Sequence, residues 1–326
     1  MKVAIVGIGS ISKNHIHALQ KAEQQIVALC DVELSRCEAA KERFGLDCPV
    51  FSDYIQMLDA VKPEAVHICT PHYLHAPMCC EALSRNIHVL CEKPLAISHE
   101  QLAQIGAAVS ASSATLGVSH QNRYLAASRL VKEFIADHPI TAATAVMHWK
   151  RDASYYASGA WRGKWETEGG GVMINQALHT LDLLQWFCGY PKTLRATISN
   201  ESLQGVIEVE DTAFGIFTVD EGKNFMIHAT NAATGNFPVQ IMLRCDKDTV
   251  ELCRNNVVIN GELHVTDDGV STVGKAEWGV GHILLVQDFY DCIATGRKFP
   301  LDFEEASKVI RLILGMYASN GEEKNA

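Results

Sequence analysis

A glycine-led segment in the middle of the chain carries the residues best suited to proton transfer. Gly169–Gly171 precedes a stretch with helical spacing in which Asn175 and His179 are four residues apart and Asp182 follows three residues later. Residues with that spacing share one face of an α-helix, and histidine titrates close to neutral pH. His179 is therefore a candidate general acid/base, although a polar stripe of this kind could also be satisfied inside an apolar core.

A second candidate is the lysine of the sequence Glu92-Lys93-Pro94. Proline disfavours a helical backbone at the residue before it, so Pro94 keeps Lys93 extended and could project its ammonium group into a cleft. An ammonium group in that place stabilises negative charge that develops on a substrate oxygen. The alternative is an ordinary solvated lysine on the surface.

Gly7 and Gly9 begin a dinucleotide-binding fingerprint, because they follow an apolar strand and open a helix. Gly7 allows a tight turn, Gly9 lets the backbone approach a pyrophosphate, and Ser12 stands at the third position. Asp31 ends the second predicted strand, where a carboxylate accepts hydrogen bonds from ribose hydroxyls and disfavours a 2′-phosphate. The pattern predicts NAD rather than NADP. Arg36 would soften that preference, and capping of the next helix is the alternative role for Asp31.

The elements that must position these residues are of two kinds, and together they predict the α/β class. Residues 1–120 alternate strands and helices with short connections, which predicts an NAD(P)-binding Rossmann domain with a doubly wound parallel sheet. Its polar residues follow the ends of strands, so they should gather along one ligand-binding edge. Residues 121–326 contain a long helix from the triple glycine to Gly189, followed by consecutive strands with short turns. This pattern predicts a substrate-binding and oligomerisation α+β domain with a large, mostly antiparallel open sheet.

Composition narrows the possible functions. The chain has 326 residues and a formal net charge of −10, without a basic cluster, so neither nucleic acid nor a membrane is expected as a partner. The first apolar run stops at Gly7, too early for a signal peptide, and no run reaches the ~18 apolar residues of a membrane span. Eleven cysteines without regular spacing indicate a reducing compartment, so we expect a soluble cytoplasmic protein. No metal is predicted, because convincing ligand spacing is lacking among His15, His17, His67, His72, His75 and His179.

Several motifs taken together resemble the glucose–fructose oxidoreductase/inositol dehydrogenase (Gfo/Idh/MocA) family over nearly the whole chain. The motifs are Gly7–His15, Cys69–His75, Glu92-Lys93-Pro94, His120–Tyr124, Trp161-Arg162-Gly163 and Gly169–Asp182. The resemblance implies NAD(P)-dependent oxidation of a secondary alcohol on a sugar, an amino sugar (nucleotide-linked ones included) or a cyclic polyol. It also implies homodimers or homotetramers formed through the C-terminal sheet, Lys93 in contact with substrate and nicotinamide, and His179 as the acid/base. Many relatives have Asp where this chain has Asn175, which can orient a hydroxyl but cannot accept a proton.

These arguments give two sets of candidate site residues. The cofactor is expected to contact Gly7, Ile8, Gly9, Ser10, Ile11, Asp31, Arg36, Thr70, Pro71, His72, His75, Glu92, Lys93 and Gln121. The substrate is expected to contact Lys93, Arg123, Tyr156, Trp161, Arg162, Asn175, Gln176 and His179, with a place in the core as the alternative for Trp161. In the resulting hypothesis the substrate hydroxyl lies between Lys93 and His179; His179 removes its proton while Lys93 stabilises the developing charge.

Two other functions are compatible with the sequence. A non-catalytic NAD-bound sensor or regulator would keep the fold without the chemistry, and the presence of both Lys93 and His179 counts against it. An NADPH-dependent dihydrodiol or imine reductase would have to accommodate a 2′-phosphate, and Asp31 counts against that.

Overall fold

The computed structural model describes residues 1–266, 280–319 and 321–325. Within these ranges the chain separates into two compact units, one formed by residues 1–124 and 280–307 and the other by the remaining described residues. The division into domains 1–120 and 121–326 stays a prediction. The first unit adds segment 280–307, which the sequence alone placed with the second domain.

The first unit contains a six-stranded sheet in which every strand pair is parallel. Its strands are β1 (Lys2–Val6), β2 (Gln25–Cys30), β3 (Val50–Phe51), β4 (Ala65–Ile68), β5 (His88–Cys91) and β6 (Leu116–Val118). Their spatial order is β3-β2-β1-β4-β5-β6, so the order reverses direction between β1 and β4. Strands β1 and β4 are buried along most of their length, which explains their continuous apolar sequences. The predicted doubly wound parallel sheet is confirmed.

Helices follow most of these strands, and local signals in the sequence mark where some of them begin or end. They are α1 (Ser12–Lys21), α2 (Leu34–Phe44), α3 (Tyr54–Val61), α4 (His75–Ser84) and α5 (His99–Ala111). Gly45 ends α2 in the left-handed conformation, with φ of 64°. Ser98 caps α5 by accepting a hydrogen bond from the Gln101 amide at 3.2 Å.

The second unit contains a nine-stranded sheet. Its strands are β7 (Ile140–His148), β8 (Thr193–Ser199), β9 (Thr212–Asp220), β10 (Lys223–Thr230), β11 (Gln240–Cys245), β12 (Thr249–Cys253), β13 (Asn256–Ile259), β14 (Glu262–Val265) and β15 (Glu323–Asn325). Their order is β14-β13-β12-β11-β7-β10-β9-β8-β15, and β7 and β10 form a parallel pair among otherwise antiparallel neighbours. Buried and exposed residues alternate along β9 and β11, so the sheet packs on one face. The predicted open, mostly antiparallel sheet is confirmed.

The helices of the second unit are α6 (Ala126–Phe134), α7 (Ala153–Ala157) and α8 (Leu178–Cys188), and α8 packs against β7 and β10. The prediction of one long helix from the triple glycine to Gly189 is wrong. A π-helical turn, Val172–Gln176, precedes α8, and the Ala177 amide donates to the Val172 carbonyl, five residues earlier, at 2.8 Å. Such single π turns occur frequently at functional sites.

Two further helices lie between β14 and β15 in the described chain. Helix α9 (Gly281–Thr295) packs on α1 in the first unit, and α10 (Phe303–Ser319) begins in the first unit and continues into the second. None of the described helices is long and apolar enough to cross a membrane. All eleven cysteines lie in described segments as free thiols.

Candidate active site

Five neighbouring strands bring the predicted residues of the first unit to one edge of its sheet. Strands β2, β1, β4, β5 and β6 are adjacent and parallel, so their carboxyl ends point the same way. In an open α/β sheet, this edge beside the reversal of strand order is where ligands bind. The segments that leave these strands are Asp31, Gly7–Gly9, Thr70-Pro71, Glu92-Lys93-Pro94 and Ser119–Arg123.

The loop after β1 needs its glycines for two different reasons. Gly7 has φ of 85°, and a Cβ atom there would lie 2.6 Å from the carbonyl carbon of Cys69. A Cβ atom on Gly9, in contrast, would meet no atom of the described residues within 4 Å, so the loop is open to a ligand at that point. The buried Ser12 hydroxyl donates to the Gly9 carbonyl at 2.9 Å and thereby fixes the loop. Ser12 therefore serves the third fingerprint position well.

Asp31 is a buried carboxylate that ties this loop to the end of β2. Its Oδ2 accepts a hydrogen bond from the Ile8 amide at 2.7 Å, and its Oδ1 accepts one from the Glu33 amide at 2.9 Å. Each oxygen retains a second lone pair that can accept from a ribose hydroxyl. The exposed Arg36 is paired with Glu33 at 2.6 Å. A glycine turn with open space and a buried terminal carboxylate fit an adenine dinucleotide without a 2′-phosphate.

His75 links the loop after β4 to the loop after β5. Its Nδ1 lies 2.6 Å from the Pro94 carbonyl oxygen, and its Nε2 lies 2.8 Å from the Thr70 carbonyl oxygen. Burial lowers the pKa of His75, so the neutral ring donates one of these bonds at a time. His75 is one of the predicted cofactor contacts, and both of its ring nitrogens face backbone carbonyls. His72, also predicted to contact the cofactor, is buried with its ring centroid 6.0 Å from that of His75.

Glu92 accepts hydrogen bonds from three groups of the first unit. Its Oε1 accepts from Nε2 of His15 at 2.9 Å and from Nε2 of His282 at 3.2 Å, and its Oε2 accepts from the Lys93 amide at 3.2 Å. The side chains of His15, Glu92 and His282 also form a group whose potential ligand atoms lie within 4.8 Å of one another, close enough to bind a metal ion. Both ring N–H groups satisfy hydrogen-bond geometry toward one carboxylate oxygen, which accounts for the contacts without a metal. The absence of a metal stays a prediction.

In the second unit, the triple glycine makes room for protein atoms. A Cβ atom on Gly171 would overlap the Glu210 carbonyl oxygen, and one on Gly170 would overlap the Tyr317 hydroxyl. The buried Glu210 carboxylate accepts hydrogen bonds from the Gly171 amide at 2.8 Å, the Met173 amide at 3.0 Å and the Tyr317 hydroxyl at 3.0 Å. Glu210 therefore holds the beginning of the π turn in place.

The π turn and α8 expose two of the predicted residues together. From Gly171 to Gln185 every residue is buried except Asn175 and His179, which are partly exposed. Asp182, the third polar residue of the predicted stripe, is 1% exposed and lies in the core. Partial exposure of an amide and an imidazole on an otherwise buried segment is the arrangement expected of groups that meet a ligand.

Tyr155 is the centre of a polar cluster around Asn175. Its hydroxyl lies within hydrogen-bond distance of the Arg162 Nη1 (2.6 Å), the Gln176 Nε2 (3.0 Å) and the Asn175 Nδ2 (3.3 Å). The Asn175 Nδ2 also donates to the fully buried Glu168. Because Nδ2 faces these two groups, the amide orientation is fixed and its Oδ1 acts as an acceptor.

The same cluster continues to the end of β10. Asn231 Nδ2 donates to the Tyr156 hydroxyl at 3.1 Å and to Gln176 Oε1 at 3.0 Å. The structure thus brings together four predicted substrate-site residues: Tyr156, Arg162, Asn175 and Gln176. Sequence reasoning missed Tyr155, Glu168 and Asn231. Two sequence features could have indicated two of them: Tyr155 directly precedes the predicted Tyr156, and Glu168 directly precedes the triple glycine.

Two further predicted substrate residues, Trp161 and Arg123, have different surroundings. The guanidinium of Arg162 lies 4.4 Å from the ring centroid of the partly exposed Trp161 and 4.6 Å from that of Tyr155. This stacking holds the guanidinium beside the polar cluster. Arg123 belongs to the first unit, where its buried guanidinium pairs with Glu305 at 2.9 Å.

The buried Glu210 makes stability depend on pH. Burial raises its pKa from 4.5 to about 7, against the opposing effect of its hydrogen bonds. The folded state therefore binds more protons than the unfolded state between these two values, and stability falls as pH rises through that window, by roughly 2–3 kcal/mol from this group. Chemical denaturation at about pH 5 and about pH 7.5 measures this change. Between these two pH values the free energy of unfolding should fall less in Glu210→Gln than in the wild type.

Glu208→Gln is the matched control for that experiment, because Glu208 is an exposed carboxylate two residues away. It should leave the pH dependence of the unfolding free energy unchanged. Equal pH dependence in the wild type and in Glu210→Gln would show that Glu210 titrates normally.

The parallel sheet, its glycine turn and the terminal aspartate define a dinucleotide-binding protein of the Rossmann class. Residues 1–120 match the model of the oxidoreductase family with an NAD-binding Rossmann fold, GFO/IDH/MocA, and residues 129–251 match the GFO/IDH/MocA C-terminal domain. The chain belongs to the GFO/IDH/MocA oxidoreductase family.

Individual relatives are similar to parts or to all of the chain. D-Glucoside 3-dehydrogenase of Escherichia coli (strain K12) is 29% identical over 59% of the chain and 55% of its own length. Levoglucosan dehydrogenase of Pseudarthrobacter phenanthrenivorans is 26% identical over 95% of the chain and 93% of its own length. The crystal structure of the WlbA dehydrogenase from Bordetella pertussis, in complex with NADH and UDP-GlcNAcA, is 27% identical with a TM-score of 0.89, over 100% of this chain and 97% of that chain. The match to the first of these relatives spans about half of its length.

Proposed function

We propose that this protein is an NAD-dependent dehydrogenase that interconverts a secondary alcohol and a ketone on a sugar, an amino sugar (nucleotide-linked ones included) or a cyclic polyol. The observation that carries the proposal is the pair Asn175 and His179, partly exposed on an otherwise buried segment. The first unit adds a dinucleotide fingerprint with Lys93 at the same sheet edge. The names of the relatives support the class of substrate.

NAD supplies the hydride acceptor of the proposed reaction, and His179, Lys93 and Asn175 each have a distinct role in it. NAD is held by the Gly7–Gly9 loop and Asp31. His179 removes the proton from the substrate hydroxyl and returns it in the reverse direction. Lys93 stabilises the negative charge that develops on the same oxygen. Asn175 accepts a hydrogen bond from a substrate hydroxyl through Oδ1, because Glu168 and Tyr155 hold its Nδ2.

The polar cluster in the second unit supports a substrate rich in hydroxyl groups. Tyr155 and Arg162 are partly exposed and offer polar groups in orientations that the buried Gln176 and Asn231 help to fix. To test the function, the protein is mixed with NAD and a panel containing levoglucosan, a D-glucoside, an inositol and UDP-GlcNAcA, and NADH absorbance is followed. Formation of NADH with a member of the panel is expected. NAD binding without turnover across such a panel would favour a non-catalytic sensor instead.

Asp31 should determine the choice between NAD and NADP. In Asp31→Asn, an NH2 group replaces one oxygen and faces an N–H donor, either the Ile8 amide or the Glu33 amide. We expect NAD affinity to fall by about 10–100-fold, the usual effect of losing a hydrogen bond to a charged group, and the preference over NADP to shrink. Isothermal titration with both dinucleotides measures this change. Glu33→Gln, an exposed carboxylate two residues away, is the matched control, and an unchanged NAD/NADP ratio in Asp31→Asn would contradict the assignment.

We propose that the open sheet binds a second copy of this chain. Ile216, Met226, Thr144 and Met242 lie side by side across four neighbouring strands on its outer face. Ile216 is 36% and Met242 45% exposed, and nearby Phe214 is 40% exposed. A row of this kind, apolar apart from Thr144, is typical of an interface. The free thiols support the expectation of a reducing, cytoplasmic location.

Ile216→Asp should dissociate the homo-oligomer, because it buries a charge without a partner at the proposed interface. Light scattering coupled to gel filtration should show a dimer or tetramer for the wild type and a smaller species for the variant. Ile55→Asp, which changes an isoleucine 41% exposed on α3, is the matched control and should keep the wild-type mass. A monomeric wild-type protein would rule out this interface.

A further inference from the structure

Five buried side chains of the first unit form one connected network, which we name the Glu92 network: His15, His67, Glu92, His282 and Tyr290. Glu92 is its centre, with His15 and His282 on Oε1. The chain of contacts continues from His15 Nδ1 to His67 Nδ1 at 2.8 Å and from His67 Nε2 to the Tyr290 hydroxyl at 2.9 Å. Four elements, α1, β4, α9 and the loop after β5, are thereby tied together.

The hydrogen bonds to Glu92 have a fixed direction. The Glu92 carboxylate only accepts, so His15 and His282 both carry a proton on Nε2. Burial opposes a charge on His15, yet the neighbouring Cys69 and Glu92 raise its pKa to about 10. When His15 is charged, its Nδ1 donates to His67, which then donates from Nε2 to Tyr290; when His15 is neutral, both of these bonds run the other way. Burial and the charge of His15 hold the pKa of His67 well below its usual range.

The network therefore contains a buried ion pair between Glu92 and His15. In each of the side-chain contacts given above for the network, a hydrogen-bond donor lies opposite an acceptor. Burial alone would raise the pKa of Glu92, but hydrogen bonds and charge interactions with His15 and His282 bring it well below its usual range. A pair of this kind contributes little net stability, but the loss of one partner leaves an uncompensated charge in the interior. Because breaking the pair is costly, the Glu92 side chain is held in one position, and so is the Lys93 amide that donates to it.

The Glu92 network and the neighbouring His75 hold the backbone on the two sides of Lys93. Oε2 of Glu92 accepts a hydrogen bond from the Lys93 amide, and the His75 ring lies 2.6 Å from the Pro94 carbonyl oxygen. Two buried side chains thus fix the peptide group before Lys93 and the peptide group after Pro94, while Lys93 itself is only half-buried. The network does not reach the reacting groups directly and acts on them through Lys93.

We propose that Glu92, held by His15 and His282, is a positioning residue that fixes the Lys93 backbone in the geometry needed for catalysis. This inference rests on the role of Lys93 in the proposed function. In Glu92→Gln, one oxygen becomes an NH2 group that faces an N–H donor, so at least one of the three contacts is lost. A displacement of about 1 Å at a reacting group lowers rates by as much as ~10²-fold.

A double-mutant cycle with Lys93→Ala tests whether Glu92 acts through Lys93. With NAD and UDP-GlcNAcA as the probe pair, we expect Glu92→Gln to lower kcat by about 10–100-fold, with KM and NAD affinity close to the wild type. In the Lys93→Ala background the same change should have no further effect on kcat. Tyr54→Phe, which removes a partly buried hydrogen bond to the Met78 carbonyl in the same unit, is the control and should leave kcat unchanged.

A second readout separates this inference from the proposed function, because it needs no turnover. Limited acetylation followed by peptide mass spectrometry should show Lys93 reacting several-fold faster in Glu92→Gln, while exposed Lys62 reacts at the same rate. Equal labelling of Lys93 in the two proteins, or an additive cycle, would overturn the positioning role. A stoichiometric metal ion on His15, Glu92 and His282 would also overturn it. Full activity of Lys93→Ala would reject the proposed role of Lys93 and leave the labelling result to decide the positioning.

Discussion

Replacing His179 with alanine should lower kcat by about 10²–10⁴-fold, the usual contribution of a positioned acid/base, while NAD affinity stays close to that of the wild type. Imidazole is suited to this step because its ordinary pKa lies near neutral pH. His179 is also partly exposed on a segment whose other residues, apart from Asn175, are buried. Steady-state kinetics with the substrate found in the panel measure the change.

The matched control for His179→Ala is His138→Ala, which removes another partly exposed histidine of the same unit, bonded to the Phe134 carbonyl. This control should keep the wild-type kcat. If His179→Ala kept near-full turnover with a substrate accepted by the wild type, another group would have to be the acid/base.

Replacing Lys93 with methionine should lower kcat/KM by about 10²–10³-fold, as the loss of one preorganised donor to a developing oxyanion does. Methionine keeps an unbranched side chain of similar length, so the change removes the charge and retains most of the volume. Folding should be preserved, because Glu92 holds the backbone amide of residue 93 whatever its side chain.

Two measurements check the Lys93→Met prediction. Kinetics at saturating NAD give the loss of kcat/KM, and thermal unfolding shows whether the variant is folded. Lys62→Met, which changes an exposed lysine of the same unit, should behave as the wild type. A loss of NAD binding with unchanged kcat would place Lys93 on the cofactor alone.

The first unit could be predicted from the sequence because its signals are local. The left-handed Gly45 after α2 and the Ser98 cap of α5 are determined by neighbours within a few residues. Strands buried on both faces read as continuous apolar runs, and their carboxyl ends carry the polar residues. The position of Asp31 and Lys93 on one edge followed from these facts alone.

The details of the second unit depend on contacts between distant residues, and the sequence does not reveal them. The π turn forms where the carboxylate of Glu210, far along the chain and itself bonded by Tyr317, accepts hydrogen bonds from the amides of Gly171 and Met173. The spacing of Asn175 and His179 predicted one helix face, whereas the structure exposes them together across the junction of a π turn and α8. Tyr155, Glu168 and Asn231 join the cluster through tertiary contacts. Residues 280–307 likewise belong to the first unit because α9 packs on α1.

The central claim is that a hydride passes between a sugar alcohol carbon and NAD on this protein. The most direct measurement uses the best substrate of the panel, deuterated at its carbinol carbons, with the mass of the NADH formed as the readout. We predict that the wild type forms NADH carrying one deuterium and that His179→Ala forms very little NADH in the same time. NAD that binds to the protein but never acquires deuterium from any deuterated member of the panel would contradict the claim.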